Sequence, residues 1–355
     1  MYQPQPEKLK RLKNWLLEKK YIPVYLEVVN QFVRNELNYY VIEYMIAGSE
    51  LLLGVAGGYE EGAVEHCGHV HSKMELLIEG NEIEQAEALV DEIEGFWSQH
   101  AAVVEQNFRK NAEEGRFTGH LLLASHEWDA DSLCLELAER WNVKVDAEAE
   151  GTTLAFEVDD MSVEISLHEG QLEHHEAQIH AASNIDWPEV LDIVNYHQAY
   201  LTVMVKTGSS PLEAGKLHVK VMSCLSMQDN VLAVDAAGTI FEPGLYDEYS
   251  DVMKDGSLPI YNMIHFGFYR TSNGLSGYTY GLKMFGELEI EVLDTFGETE
   301  DLHEFLSTLV YSVLMKQIEL KHGNKISLNE GHELMVVEGM SEALNEITVK
   351  VEYPN

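Results

Sequence analysis

His66-Cys67-Gly68-His69-Val70-His71 is the sharpest local cluster of candidate metal ligands in the sequence. Alternate residues of a strand share one face, so an extended 67–71 places Cys67, His69 and His71 side by side, about 6.6 Å apart per step. A His-x-His pair on a strand can grip one Zn²⁺, and Glu65 and Glu75 stand near it in the chain. The competing reading is a half-buried strand that carries histidines without a metal. Zinc at Cys67, His69 and His71 is the only metal considered, and no other cofactor is expected.

A second group comprises His168, His174, His175 and His180. His175-Glu-Ala-Gln-Ile-His180 is one residue longer than HExxH, in which the histidines are four apart on one helix face. Five steps of about 100° set His175 and His180 roughly 140° apart. The segment is therefore expected to be a solvated acidic helix or loop. Gly208 to Lys216 has the wrong spacing for a phosphate loop, and Leu217 follows where Ser or Thr is required. Ser276 lacks the full GxSxG elbow. No catalytic residue is assigned.

The elements that must position these groups come from periodicity and turn chemistry. Residues 5–20 form a basic amphipathic helix in which Leu9, Leu12, Trp15 and Leu16 recur at helical spacing, and docking on the protein's own acidic body is the simplest account of it. Tyr21–Val29, Tyr39–Ala47 and Glu50–Ala56 read as strands, with an irregular strand within Glu61–Leu77. Glu82–Lys110 reads as one long helix whose outer face is acidic early and basic late, as the macrodipole favours. Glu113-Glu114-Gly115 closes it and sets a boundary between an N-terminal domain, 1–115, and a C-terminal region, 117–355, the latter divisible at 206/207.

The second part opens strand, helix, strand, strand, helix, strand, the order of a ferredoxin-like split βαβ. Ser210 caps a helix starting at Pro211 and Thr299 caps one running to Gln317. Asn273-Gly274 signals a hairpin turn. The fold class is α+β, two domains, with a mixed or antiparallel sheet.

Composition narrows the function classes. The chain has 355 residues, is 45% hydrophobic, and carries 61 acidic against 23 basic side chains, a net charge of −38. A surface so negative repels phosphate backbones, which disfavours nucleic acid, and it can steer a basic protein partner. No apolar run reaches the roughly 18 residues needed to span a bilayer. Three scattered cysteines, Cys67, Cys134 and Cys224, fit a reducing compartment, and a cytoplasmic location is expected.

Ala199-Tyr-Leu-Thr-Val-Met-Val, Pro211-Leu-Glu-Ala-Gly-Lys, Phe266-Gly-Phe-Tyr-Arg, Gly277-Tyr-Thr-Tyr-Gly-Leu-Lys-Met-Phe-Gly and Glu289-Ile-Glu-Val-Leu-Asp294 together resemble a bacterial family catalogued as a domain of unknown function, DUF4261. The resemblance is best over about 187–326. It implies an α+β protein and carries no activity with it; some relatives resemble immunity or other interaction proteins. If 266–270 and 278–282 pair across the turn, Arg270, Tyr278, Tyr280 and Lys283 gather near one hairpin and form a candidate anion or ligand site. Internal salt bridges to Glu289, Glu291 or Asp294 are the alternative. The leading expectation is a non-enzymatic, acidic, immunity-like interaction factor of unknown oligomeric state. A small-ligand-binding protein or an enzyme with an inter-domain site is the other.

Overall fold

The computed structural model describes residues 12–13, 16–17, 20–34, 37–60, 69–70, 74–145, 147, 151–182, 184, 187, 189–271, 273–327 and 333–354. The chain forms two compact units, Met1–Ala102 and Val103–Asn355. The division falls within the long helix Glu82–Glu113.

In the first unit, β1 (Pro23–Arg34), β2 (Leu37–Ile46) and β3 (Leu52–Glu60) form an antiparallel meander. The short strands β4 (His69–Val70) and β5 (Glu75–Leu76) both pair with β3. Helix α1 (Glu82–Glu113) begins in this unit. Strand alternation splits the apolar residues between two faces. Tyr39, Val41, Leu53 and Val55 meet Ala86, Leu89, Val90 and Ile93 of α1 on one face. Ile42, Tyr44, Leu52 and Ala56 bury Leu12 and Leu16 on the other, and the rest of the expected N-terminal helix lies largely outside the described residues.

The second unit holds two sheets. The first contains β6 (Arg116–Leu123), β7 (Thr153–Val158), β8 (Met161–Glu169), β9 (Ala199–Lys206), β10 (Val231–Ala236) and β11 (Thr239–Phe241), with helices α2 (Ala130–Trp141), α3 (Glu176–Ala182), α4 (Val190–Val194) and α5 (Pro211–Ser226) between them in the chain. Its order is β11-β10-β6-β9-β8-β7, antiparallel throughout. The expected run of strands and helices is present and the fold class is α+β, but the pairing is not that of a split βαβ. A split βαβ sets the first strand beside the third in parallel. Here the segment carrying α3 and α4 brings β9 back antiparallel to β8, between it and β6.

The remainder contributes α6 (Pro243–Ser250), α7 (Ile260–Met263), β12 (His265–Thr271), β13 (Gly274–Tyr280), β14 (Ile290–Thr295), α8 (Thr299–Leu314), β15 (Lys325–Ile326), β16 (Leu334–Met340) and β17 (Ile347–Val351). Their sheet runs β12-β13-β14-β17-β16-β15, with β14 and β17 parallel. Helix α5 is the central element of the unit. Ser210 Oγ accepts the Glu213 N–H at 3.3 Å at its start, and it is buried on nearly every side, as a helix apolar all round must be. It packs on β6 and β9 and against α2 and α6.

Two local expectations are corrected. Glu298, not Thr299, precedes α8, and it makes no side-chain cap. Asn273 lies in the β12–β13 turn, while Gly274 is already in β13, paired to Thr271. Glycine is required there because a Cβ would lie 2.5 Å from the Thr295 carbonyl oxygen of the neighbouring chain segment.

Glu289 and Glu291 are fully buried. Glu289 accepts the N–H groups of Gly281 and Lys283 at 2.9 and 3.2 Å and the Thr279 hydroxyl at 2.8 Å. Glu291 accepts the Ser341 hydroxyl, the N–H groups of Glu342 and Ala343, and the Thr348 hydroxyl at 2.8 to 3.1 Å. Each carboxylate therefore holds a loop by its backbone donors. Removing one leaves several buried donors unmet, a loss of about 3 kcal/mol. Glu291→Ala is expected to lower urea-unfolding stability by that amount, with Glu291→Gln losing less; a change within about 0.5 kcal/mol would refute the clamp.

Candidate functional site

The central strands of the first sheet of the second unit carry polar side chains in a row. Register sets Asp235 of β10 beside His120 of β6, and His120 beside Thr202 of β9. Tyr200 of β9 pairs with His168 of β8, and their rings stack at 4.7 Å. Successive strand residues alternate faces, so Thr118 and His120 share this face while Phe117 and Leu121 enter the apolar core on the other.

Helix α3 covers the row. Ala177 and Ala181 are buried with Leu122, Ala233 and Ile240, and these small residues let the helix approach the strands closely. The chain leading into it is held by His197, 2% exposed, whose Nε2 accepts the Leu172 N–H at 2.8 Å and whose Nδ1 donates to the Val194 carbonyl. His174 and His175 then turn the chain with left-handed backbones, φ 57° and 56°. Glu176 and His180, one helical turn apart, face the strands.

His180 Nδ1 lies 2.7 Å from Asp235 Oδ1. Burial opposes charge on this imidazole, but the Asp235 carboxylate outweighs it and lifts its pKa from 6.5 to about 9. The ligand atoms of Glu176, His180 and Asp235 all lie within 4.8 Å of one another. His120 Nε2 is 3.9 Å from Glu176 Oε1, and its Nδ1 meets Thr202 Oγ1 at 3.1 Å.

These groups line a cavity of about 410 Å³, which also reaches His218, Asn262 and Tyr280 past the Ala237-Gly238 turn. That is within the range of small-molecule sites. Four buried atoms on its wall have no hydrogen-bond partner among the described residues: Asp235 Oδ2, His218 Nε2, Thr118 Oγ1 and Asn262 Oδ1. His218 donates to the Val203 carbonyl, so its unpartnered Nε2 is a bare acceptor. Gly119 admits that ring, since a Cβ there would stand 3.0 Å from His218 Cε1.

The 168–180 segment is thus only partly solvated: residues 168–171, 173 and 174 are exposed, while Leu172, Glu176 and His180 help to wall the cavity. The HExxH comparison failed because it paired His175 with His180, whereas Glu176 and His180 have the i, i+4 spacing. Asp235 was legible only as an acid within the apolar run Val231–Ala236, and His120 carried no spacing signal.

The residues singled out near the hairpin do not gather in one place. Arg270 is exposed and pairs with Leu275, while Tyr280 pairs with His265, five strand positions away, about 17 Å. Tyr278 packs over Gly267. Lys283 forms an ion pair with Glu346. Of the four, Tyr280 alone lines the cavity, its ring tilted against that of Phe108 with centroids 4.3 Å apart. Cys67 and His71 lie outside the described residues, and His69 is placed by its backbone in β4.

Burial lowers the His218 pKa from 6.5 to about 4. The folded protein therefore resists a proton that the unfolded chain accepts, so stability is retained above pH 6.5 and lost as pH falls toward 4, by on the order of 3 kcal/mol. His265, also lowered to about 4 by burial and by His180 and His303, adds to the slope. His218→Gln is expected to flatten the decline measured by urea unfolding between pH 6.5 and 4; an unchanged decline would contradict the buried neutral imidazole.

Residues 278–352 match the family model described as "Domain of unknown function (DUF4261)". The match overlaps the resemblance drawn from the sequence at 278–326, extends it to 352, and leaves 187–277 outside. No curated protein and no solved structure matches the chain. The matched segment contributes Tyr280 and Met284 to the cavity wall, whereas His120, Glu176, His180 and Asp235 precede it. The chain resembles this family over its last sheet, and the polar cavity is built mainly from residues before that segment.

Proposed function

We propose that the second unit binds a small cationic ligand in this cavity, an organic amine being the best fit. One observation carries the reading. Acceptors from three elements, Glu176 of α3, Asp235 of β10 and His218 of α5, line a single cavity, and Asp235 and His218 keep unpartnered buried acceptor atoms. A buried acceptor without a donor costs about 1–3 kcal/mol, which a donor-bearing ligand recovers. Tyr200 and Tyr280 also line the cavity, and aromatic rings attract cations. The net charge of −38 raises the local concentration of cations around the molecule.

A second role, an immunity-like factor meeting a basic protein through its acidic surface, rests on the net charge, on the lack of a catalytic motif in the sequence and on the family resemblance. Nothing in the geometry adds to it.

Saturation-transfer NMR with 1,4-diaminobutane and related diamines tests the amine reading. Binding is expected at low salt, with about tenfold or greater weakening in Asp235→Asn, the size of a hydrogen bond to a charged group. Thr118→Trp, which fills the cavity, should abolish it while circular dichroism stays unchanged. Absence of binding, or binding that ignores both substitutions, would reject the reading.

A further inference from the structure

We propose that His120, Glu176, His180 and Asp235 form a site for one divalent transition-metal ion of the zinc class. The inference rests on the reading of the cavity as a cation site and names an inorganic occupant for its inner end.

The donor set is the first argument. Two imidazoles and two carboxylates suit borderline ions such as Zn²⁺ and Co²⁺ better than Mg²⁺ or Ca²⁺, which prefer oxygen alone. The ligand atoms of Glu176, His180 and Asp235 are already within 4.8 Å of one another. An ion held at about 2.0–2.2 Å from each requires only side-chain adjustment.

The second argument is positioning. The four residues come from β6, α3 and β10, all docked on one sheet, so the backbone holding them is rigid. Thr202 Oγ1 meets His120 Nδ1 at 3.1 Å and orients its Nε2 toward Glu176. Outer partners of this kind are what fix a ligating imidazole.

Unmet acceptors at the same cavity, one of them outside the cluster, add to this. Asp235 is 2% exposed and its Oδ2 has no partner among the described residues, and His218, 5% exposed, leaves Nε2 bare on the same cavity. Buried polar atoms are satisfied in most proteins, so unmet acceptors at one cavity point to something that belongs there.

The experiment is a Co²⁺ titration of the EDTA-treated full-length protein, read by visible d–d absorption and reversed with Zn²⁺. One ion per chain is expected. His180→Ala or Asp235→Asn should remove the band, and Thr202→Val should weaken binding by about tenfold or more. The triple substitution Cys67→Ala, His69→Ala, His71→Ala should leave the band intact, which separates this site from the His66–His71 run. No band in the unaltered protein overturns the inference, whatever the variants do. So does a band lost with the triple substitution but kept in His180→Ala, or displacement by Mg²⁺ as readily as by Zn²⁺. If diamines bind but cobalt gives no band, the metal alone is rejected; a band without diamine binding rejects the amine alone.

Discussion

A carboxylate buried in a sheet cannot remain charged without a counter-charge or several donors, because leaving water costs several kcal/mol per ion. Asp235 meets that condition through His180, and the requirement organises the second unit. The imidazole reaches the carboxylate only if α3 lies directly over β10. That in turn needs alanines on its underside and a chain leading into it pinned by His197. Removing either member of such a pair leaves an uncompensated buried charge, worth about 3–5 kcal/mol. The cavity exists because the helix is held at that position with its other polar side chains, Glu176 foremost, directed at the strands.

Glu289 and Glu291 solve the same problem differently. They collect backbone N–H groups and hydroxyls from the loops at 279–283 and 341–348. Burial still pushes the Glu289 carboxyl above its ordinary range, so its hydrogen bonds only partly offset desolvation. The Glu289-Ile-Glu-Val-Leu-Asp294 stretch, central to the family resemblance, is thereby explained as a structural device. It joins the third sheet to its loops and takes no part in the cavity.

The scarce cations are largely committed to the same kind of internal work. Arg34 ties β1 to α1 through Asp91 and Glu94 in the first unit. Arg140 joins α2 to α6 and the following turn through Asp247, Asp251 and Ser250. Lys283 pairs with Glu346. With its cations so engaged, an acidic chain keeps a negative field toward solvent, and a cavity that gathers acceptors inside that field is suited to positive ligands.

What the sequence determined by itself was local. Periodicity set the long amphipathic α1, Ser210 and Pro211 set the start of α5, and alternating apolar residues set most strands, because each depends on neighbours a few positions apart. The α+β class and the resemblance at the C-terminal end follow from such runs. Tertiary structure alone decided which strands lie side by side, and with that the site. His120, His180 and Asp235 are separated by up to 115 residues and meet only because β10 and β6 pair and α3 folds over them. Hydrogen-bond pairing between strands carries no mark in any one segment, so Glu176 and His180 could be read as a spacing in the chain but not as part of a chamber.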